Sequence, residues 1–564
     1  MLLDDLKNKL AESLRVDSHK FSYPPNPELG DLSLACFDLD GFTTKNPAAA
    51  SVELAEQLKK EESVWLKYFS EIKPVGPYLN FFIKPSYLAR EIISDISRLQ
   101  GRYGQNSFGK KHQVMIEYSN GNTHKEYHIG HLRNIAYGDA VNHLLSANGY
   151  KSIPVSYIND FGINVAKTIW NWRRDSVWEE RPEPKGFLLG RCYAKASQKL
   201  RDNPEGKLEV GAIMKNIESR QGDDYKFWRI SRKWSLDYFD SIYKELNVKF
   251  QRTFYESAEI TEGLEIVKDL TAKGILKKSQ GAIIADLSEY DLGVLPIIRS
   301  DGTALYPVGD LALASKKFQG YNLTESIYVV DVRQSLYFKQ LFKILDLMGY
   351  HQKLIHLTYD FVTLPGGMMA SRTGNIITYQ ELKDKIAENL IRETKQRHRG
   401  WSEAKIAKVV EVLTIATMKF EMLKVGADKV ITFNIEEAAK FDGYTACYIE
   451  YGYARLRSIL RKGRSFWMTR VDFKVLEEKK EKILLLKLAK YPEIIRLAGA
   501  KYNPSELAKY LFELTQLAND YYHAVNILKA APKLKYARLA LIKSVSRVLR
   551  SGCAILGFSV LEKM

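Results

Sequence analysis

The chain has 564 residues, 45% of them hydrophobic and 27% charged, with a formal net charge of +17. That composition excludes a disordered or fibrous chain and suggests about three or four globular domains. No run of about 18 apolar residues occurs, which excludes a membrane-spanning helix, and a pI near 9.3 favours a polyanionic partner, the plain alternative being a basic solvated surface.

The opening "MLLDDLKNKL" is acidic, then basic, and helical in pattern, without the layout of a signal peptide. Residues 1–105 read as one unit. A helix is followed by the turn "YPPNPELGD", an amphipathic helix after Asn46-Pro47, the strand "VGPYLNFFIK" and a helix ending near Leu99. "GRYGQNSFGKK" then reads as a Gly-rich linker.

Residues 106–430 follow a different pattern. "VMIEY" (Val114–Tyr118) reads as a strand and "NGN" as a turn. From His131, Leu132, Ile135, Ala136, Ala140, Leu144 and Leu145 recur at helical spacing until Gly149, and "SIPVSYI" (Ser152–Ile158) is the next strand. Strand, helix and strand within about 45 residues make a βαβ unit, hence a parallel sheet. The alternation returns with "IYVV" (Ile327–Val330), a helix over "SLYFKQLFKILDLMGY", and a strand over "LTYDFVTL" (Leu357–Leu364). Residues 165–290, rich in Trp, Lys and Glu, read as a helical insertion. From about residue 400 only helices are predicted, and residues 431–564 form a terminal bundle. One apolar face there carries Leu511, Leu514, Leu517, Tyr521 and Val525; another carries Leu539, Ile542, Val545 and Leu549, with Gly552 as its C-cap. The last 84 residues hold 14 Lys and Arg against 6 Asp and Glu. The four cysteines, Cys36, Cys192, Cys447 and Cys553, are too scattered for a disulfide framework or a cysteine zinc site, which fits a reducing, cytoplasmic setting.

Three of the ten histidines, His124, His128 and His131, fall in "EYSNGNTHKEYHIGHLRN" (Glu117–Asn134). The loop after a parallel strand is where ligands bind, and a helix N-terminus offers unpaired N–H groups and partial positive charge. His128 and His131, three apart, can share one face of the first turn and donate to phosphate oxygens, and Gly130 removes a side chain from the backbone there. Two alternatives stay open: a zinc site, which lacks a nearby third ligand, and a pair of structural histidines.

The HIGH tetrapeptide resembles the signature of class I aminoacyl-tRNA synthetases. The stretch "EYSNGNTHKEYHIGHLRNIAYGDAV" is similar to its arginyl form. The resemblance covers nearly the whole chain. "VGPYLNFFIK" resembles the family's N-terminal domain, "RSDGTALYPVGDLA" its substrate loop, and "YVVDVRQSLYF" and "MMASRTGN" follow in the family's order. "FDGYTACYIEYGYARLRSILRK" resembles the start of its anticodon-binding domain, and "RVLRSGCAILGFSVLEKM" its ending. The resemblance implies an α/β fold: a Rossmann-like parallel-sheet catalytic domain between an N-terminal α+β domain and an all-α anticodon-binding bundle. It implies an arginine–tRNA ligase using ATP with Mg²⁺, L-arginine and tRNA(Arg), without a membrane, a tightly bound metal or an organic cofactor, and acting as a monomer.

On that resemblance His128, Gly130, His131, Ser371, Arg372 and Gly374 would hold ATP, with His128, His131, Lys125 and Arg372 serving catalysis. Glu117, Asn122, Tyr306, Asp310 and Gln334 would line the arginine site, Asp310 reading the guanidinium through charge-assisted bonds. A role for Asp310 as N-cap of "LALASKK" stands beside this. Tyr448, Tyr451, Tyr453, Arg455 and Arg457 interleave aromatic and basic side chains, and Tyr448, Tyr451 and Arg455 would contact tRNA. The sequence departs from the family at Met368 and Ala370, where the second signature has Lys and Ser, with Lys125 the substitute charge. It also departs at Asn120-Gly121, Val308-Gly309 and Tyr337. These departures leave one rival of another class, a catalytically weak paralogue that binds tRNA. The cysteine and glutamate enzymes of the same class fit less well: the first needs zinc ligands, and an acidic substrate needs a base at Asp310.

Overall fold

The computed structural model describes residues 2–37, 39, 46–365, 377–463 and 471–564. The N-terminal unit lays the helices Leu2–Leu14, Pro47–Lys60 and Pro85–Leu99 against a four-stranded antiparallel sheet. Where one strand is expected the chain forms a hairpin: Phe69–Val75 pairs with Tyr78–Ile83 across Gly76, whose φ of 54° suits glycine. The first arm escapes pattern reading because only Phe69 is fully buried among its polar neighbours. The expected linker is clamped down. Tyr103 stacks on Tyr491 with ring centroids 6.0 Å apart, and its hydroxyl donates to Leu488 O at 3.0 Å. A Cβ on Gly104 would stand 2.7 Å from the Tyr491 ring, so glycine here serves close approach.

The central sheet has five parallel strands in the spatial order Lys353–Tyr359, Glu325–Asp331, Gln113–Glu117, Lys151–Ile158 and Arg252–Tyr255. Val114, Met115 and Ile116 are fully buried, as expected of a strand covered by helices on both faces. Two expectations need correction. The run Leu357–Leu364 is not one strand: the sheet strand ends at Tyr359, Asp360 N donates to Ala427 O at 2.9 Å, and Val362–Thr363 pairs with Ile431–Thr432. That second pair also breaks the all-helical reading beyond residue 400. The insertion is not purely helical either. After the helices Ile163–Trp172, Lys185–Lys199, Pro204–Glu218 and Gly222–Glu245, Arg252–Tyr255 returns to the main sheet as an edge strand. Lys277–Ser279, Ala282–Asp286 and Val294–Ile298 then build a separate antiparallel sheet. Such short, half-polar strands carry no period long enough to read.

The C-terminal bundle comprises Ala446–Lys462, Lys479–Ala500, Pro504–Ala524 and Pro532–Ile555. Gly552 is no cap. It lies inside the last helix, where a Cβ would meet Leu511 Cδ2 at 2.4 Å, and Gly557, at φ 85°, follows the helix end. A buried ion pair joins the helix Ile129–Ala147, which carries the histidine motif, to the long helix Glu403–Leu423 that precedes the bundle. Lys419 Nζ lies 2.9 Å from Asp139 Oδ2 and donates to Gly557 O at 2.8 Å. Among the described residues no helix is long and apolar enough to cross a membrane.

Candidate functional site

The sheet runs outward in one direction from Gln113–Glu117 and returns on its other side at Glu325–Asp331. The crevice at the carboxyl ends of these two strands is the switch point where open parallel sheets bind ligands. Glu117 ends its strand, Asn122, Asn159, Glu256 and Gln334 follow carboxyl ends of strands, and the histidine turn opens the helix Ile129–Ala147 above the same edge. The loop is stitched in place: Thr123 N donates to Asn159 O at 2.9 Å and Asn159 N to Gly121 O at 3.0 Å.

His128 is the N-cap of that helix, and the two rings form a reciprocal capping box. Gly130 N donates to His128 Nδ1 at 3.1 Å, and His128 N donates to His131 Nδ1 at 3.2 Å. Both Nδ1 atoms are therefore acceptors, which places the proton on Nε2 in each neutral ring. Burial, reinforced by Lys125 and Arg333, lowers His128 to about 4, and burial beside His128 pushes His131 well below its usual value. Two neutral donors thus sit 4.0 Å apart, ring centre to ring centre, at a helix N-terminus. Gly130 makes room for the His128 ring itself, since a Cβ there would lie 2.9 Å from His128 Cε1. His124 belongs to the fold. It is completely buried, with its ring nitrogens 3.0 Å from Thr123 Oγ1 and 2.9 Å from Ser231 Oγ. Lys125 is half-buried, its Nζ 5.0 Å from the Tyr193 ring centre, and its charge acts on both signature histidines.

The second signature, with Met368, Ala370, Ser371, Arg372 and Gly374, lies outside the described residues. Its flanks are described. Val362–Thr363 leads toward it, and after it Ile129 N donates to Ile377 O while Tyr379 N donates to Tyr127 O at 2.8 Å. The chain therefore leaves this segment directly beside His128.

The expected arginine site is an acidic pocket. Asp310 accepts from the Tyr337 hydroxyl, which gives a use to the tyrosine that departs from the family pattern. The capping role for Asp310 is overturned, because the helix Tyr306–Gly320 has Leu305 as its N-cap and Asp310 sits in its second turn. Burial first, then the charge of Glu117, raises Asp310 to about 7, with the Tyr337 bond and Lys317 acting in the opposite direction. Glu117 is only 3% exposed and its Oε2 is ion-paired with Lys317, so it enters the pocket already neutralised. Tyr306 is exposed at the rim, Gln334 is exposed after its strand, and Asn122 lines the adjoining cleft. A side chain on Gly309 would strike the Tyr157 hydroxyl at 2.7 Å, which accounts for glycine there.

Glu256 escaped sequence reading. It opens the helix Glu256–Ala272 directly after the edge strand, its Oε2 is buried without a partner, and burial together with the charge of Asp310 raises it to about 8. Asp160, which accepts from Ser257 N at 2.8 Å and from Arg232 Nε, fixes the start of that helix. The signal was a carboxylate in "FYES" at a strand end, visible only once Arg252–Tyr255 is known to join the main sheet. A cleft of about 1290 Å³ opens from here between the insertion helices and the small antiparallel sheet. Lys215, Arg220, Arg229, Arg232 and Arg299 line it with Tyr225 and Trp228.

On the C-terminal bundle, Tyr448, Tyr451 and Arg455 share one face. Arg455 Nη1 donates to Asn519 Oδ1 at 2.9 Å, its guanidinium lies 4.9 Å from the Tyr451 ring centre, and Asn519 Nδ2 donates to Tyr448 Oη at 3.0 Å. Tyr453 and Arg457 turn away and bind Glu562 instead, as the spacing of about 100° per residue requires.

Comparison with known proteins matches nearly the whole chain. The profile for tRNA synthetases class I (R), catalytic domain, matches residues 93–433. The DALR anticodon binding domain matches 449–564, and the arginyl tRNA synthetase N terminal domain matches 1–83. An arginine–tRNA ligase of Bdellovibrio bacteriovorus is 33% identical over 96% of this chain and 93% of its own, and one of Halothermothrix orenii is 30% identical over 100% and 99%. The solved arginyl-tRNA synthetase of Thermus thermophilus superposes with a TM-score of 0.82 at 26% identity, covering 100% of both chains. With a histidine turn at the switch point, an acidic pocket beside it and relatives along its full length, the chain belongs to the arginyl-tRNA synthetase family of class I.

Proposed function

We infer that the chain is an arginine–tRNA ligase, an enzyme that activates L-arginine with ATP and transfers it to the 3′ end of its tRNA. The observation that carries the reading is the juxtaposition of two neutral histidine donors at a helix N-terminus with the Asp310–Glu256 pocket along the same sheet edge. A guanidinium matches that pocket because it is always charged and offers planar N–H donors to carboxylates.

The first step is attack of arginine's carboxylate oxygen on the α-phosphorus. The new P–O bond forms as the bond to the bridging oxygen breaks and diphosphate leaves. His128 and His131 donate from Nε2 to phosphate oxygens as charge moves onto them, and Lys125 and Arg333 add positive potential nearby. Mg²⁺ accompanies ATP as its substrate complex. In the second step a hydroxyl of the tRNA's terminal ribose attacks the arginyl carbonyl and AMP departs. The basic, aromatic-lined cleft suits the single-stranded acceptor end. The Tyr448–Tyr451–Arg455 face suits the anticodon loop. The enzyme works as a monomer, in the cytoplasm.

Arginine-dependent ATP–diphosphate exchange, run with and without tRNA, tests this. Exchange with arginine but not with lysine, glutamate or cysteine is the expected result. Tight tRNA binding with no exchange under either condition would assign the chain to the silent paralogue instead.

A further inference from the structure

Lys317 lies seven residues beyond Asp310 on the helix Tyr306–Gly320, two turns along the same face. It is 0% exposed. Its Nζ is ion-paired with Glu117 Oε2 and stands 4.5 Å from the Tyr328 ring centre. An ammonium buried this deeply is costly, and an apolar side chain would pack between helix and sheet without that cost. The equally buried Lys419–Asp139 pair ties two helices together, whereas the Lys317–Glu117 pair adjoins the pocket.

The neighbouring groups show what the charge does there. Glu117 faces Lys317 from the strand Gln113–Glu117 and Tyr328 from Glu325–Asp331, while Tyr157, on the strand Lys151–Ile158, is near the carboxylates Asp310, Glu256 and Glu117. Tyr337 belongs to the helix Ser335–Leu347, Glu256 opens the helix beyond the edge strand, and Asp310 shares the helix of Lys317. Glu117 and Asp310 thus meet one buried cation, and Glu256 adjoins Asp310. Although burial works against its charge, Glu117 holds Lys317 above its ordinary value, so it stays an ammonium. Glu117 is held on both sides, since its Oε1 accepts from Asn120 Nδ2 at 3.1 Å.

We propose that Lys317 is a positioning residue for amino-acid recognition: it cancels the charge of Glu117 and fixes that carboxylate, leaving Asp310 and Glu256 to read the guanidinium. The proposal rests on the arginine-pocket reading above. Without Lys317, an unpaired Glu117 and Asp310 would oppose each other's ionisation, as like charges in one site do, and the pocket would keep its protons to higher pH than the already raised Asp310 does in the intact chain.

The test measures arginine-dependent exchange for the wild type, Lys317→Met and Lys317→Arg from pH 6.5 to 9. In Lys317→Met the KM for arginine should rise at least about tenfold at pH 7, the scale of one pKa unit, while the KM for ATP stays within about twofold. Because the carboxylates regain their charge in alkali, the ratio of variant to wild-type KM should shrink at least about threefold by pH 9. Lys317→Arg should restore the wild-type profile. A ratio independent of pH, or an ATP KM that rises in step, would reduce Lys317 to a structural residue and overturn the proposal. Should Lys317→Met fail to fold, Lys317→Gln keeps a polar donor towards Glu117 without the charge. A KM for arginine raised at pH 7 by a factor that shrinks towards pH 9 supports cancellation, and a rise independent of pH refutes it. Wild-type protein without arginine-dependent exchange either with or without tRNA would sink the pocket reading itself, a result distinct from failure in the variants alone.

Discussion

Arginine binding should be linked to proton release, because the two carboxylates proposed to read the guanidinium are raised, Asp310 to about 7 and Glu256 to about 8. In each case burial is the first cause and a neighbouring carboxylate adds to it. Binding selects the ionised forms, so affinity is full above the raised values and is lost as pH falls through them. If Asp310 alone must ionise, its charged fraction drops from about nine-tenths at pH 8 to about one-tenth at pH 6, and affinity falls about tenfold. If Glu256 must ionise as well, the fall approaches several hundredfold. The sign for the arginine-free protein is the reverse: the unfolded chain ionises both groups near 4, so they lower stability as pH rises from about 4 towards 8. Arginine should offset that loss. Calorimetric titration with arginine at pH 6, 7 and 8, in two buffers of different ionisation enthalpy, measures both affinity and protons released. Asp310→Asn should weaken binding at pH 8 by about 1.5–3 kcal/mol, the worth of hydrogen bonds to a charged partner, and flatten the pH dependence. Wild-type affinity that changes less than twofold between pH 6 and 8 would refute the shared acidic pocket.

Replacing either signature histidine by alanine should lower kcat for arginylation by roughly 10²-fold, the effect of losing one preorganised donor, with little change in thermal stability; near-normal kcat in the purified variants would exclude the phosphate role. Lys125→Ala should lower kcat by about two to three orders of magnitude if Lys125 replaces the charge missing at Met368, and adding Met368→Lys should restore part of it, as steady-state arginylation of single and double variants will show. Affinity for tRNA should fall steeply between low and moderate salt, and Arg455→Ala should weaken binding and reduce the slope of log affinity against log salt by about one if Arg455 contacts a phosphate. A flat titration would detach the charge excess from tRNA binding.

Local physics acts through neighbours in the chain, and those neighbours carried much of this protein's organisation. A histidine turn at the start of a helix, just after an apolar strand, was legible because one segment holds strand, turn and helix in contact order. The same holds for the apolar faces of the bundle helices, whose spacing is a property of single helices. The order of the signature motifs, from Glu117 to the terminal bundle, was likewise written along the chain.

What pattern could not show was what distant segments do to one another. Arg252–Tyr255 has too few residues to announce a strand, and it becomes one only because Val155–Ile158 offers it a free edge. Glu256 acquires its place in the pocket from that pairing. Asp310 had the surroundings of a helix cap in the sequence, yet the helix begins at Tyr306, and burial against Tyr337 and Glu117 makes it a raised carboxylate instead. Gly552 had the look of a stop signal, but the close approach of Leu511, about forty residues earlier in the chain, lets the helix run on. Most telling is Lys317, which in "LALASKKF" resembles any basic residue on a helix surface. Only the tertiary structure, by bringing Glu117 across two hundred residues into an ion pair with it, buries that charge and ties it to the site. A sequence states which charges exist, but burial and pairing, which set their chemistry, are properties of the folded neighbourhood.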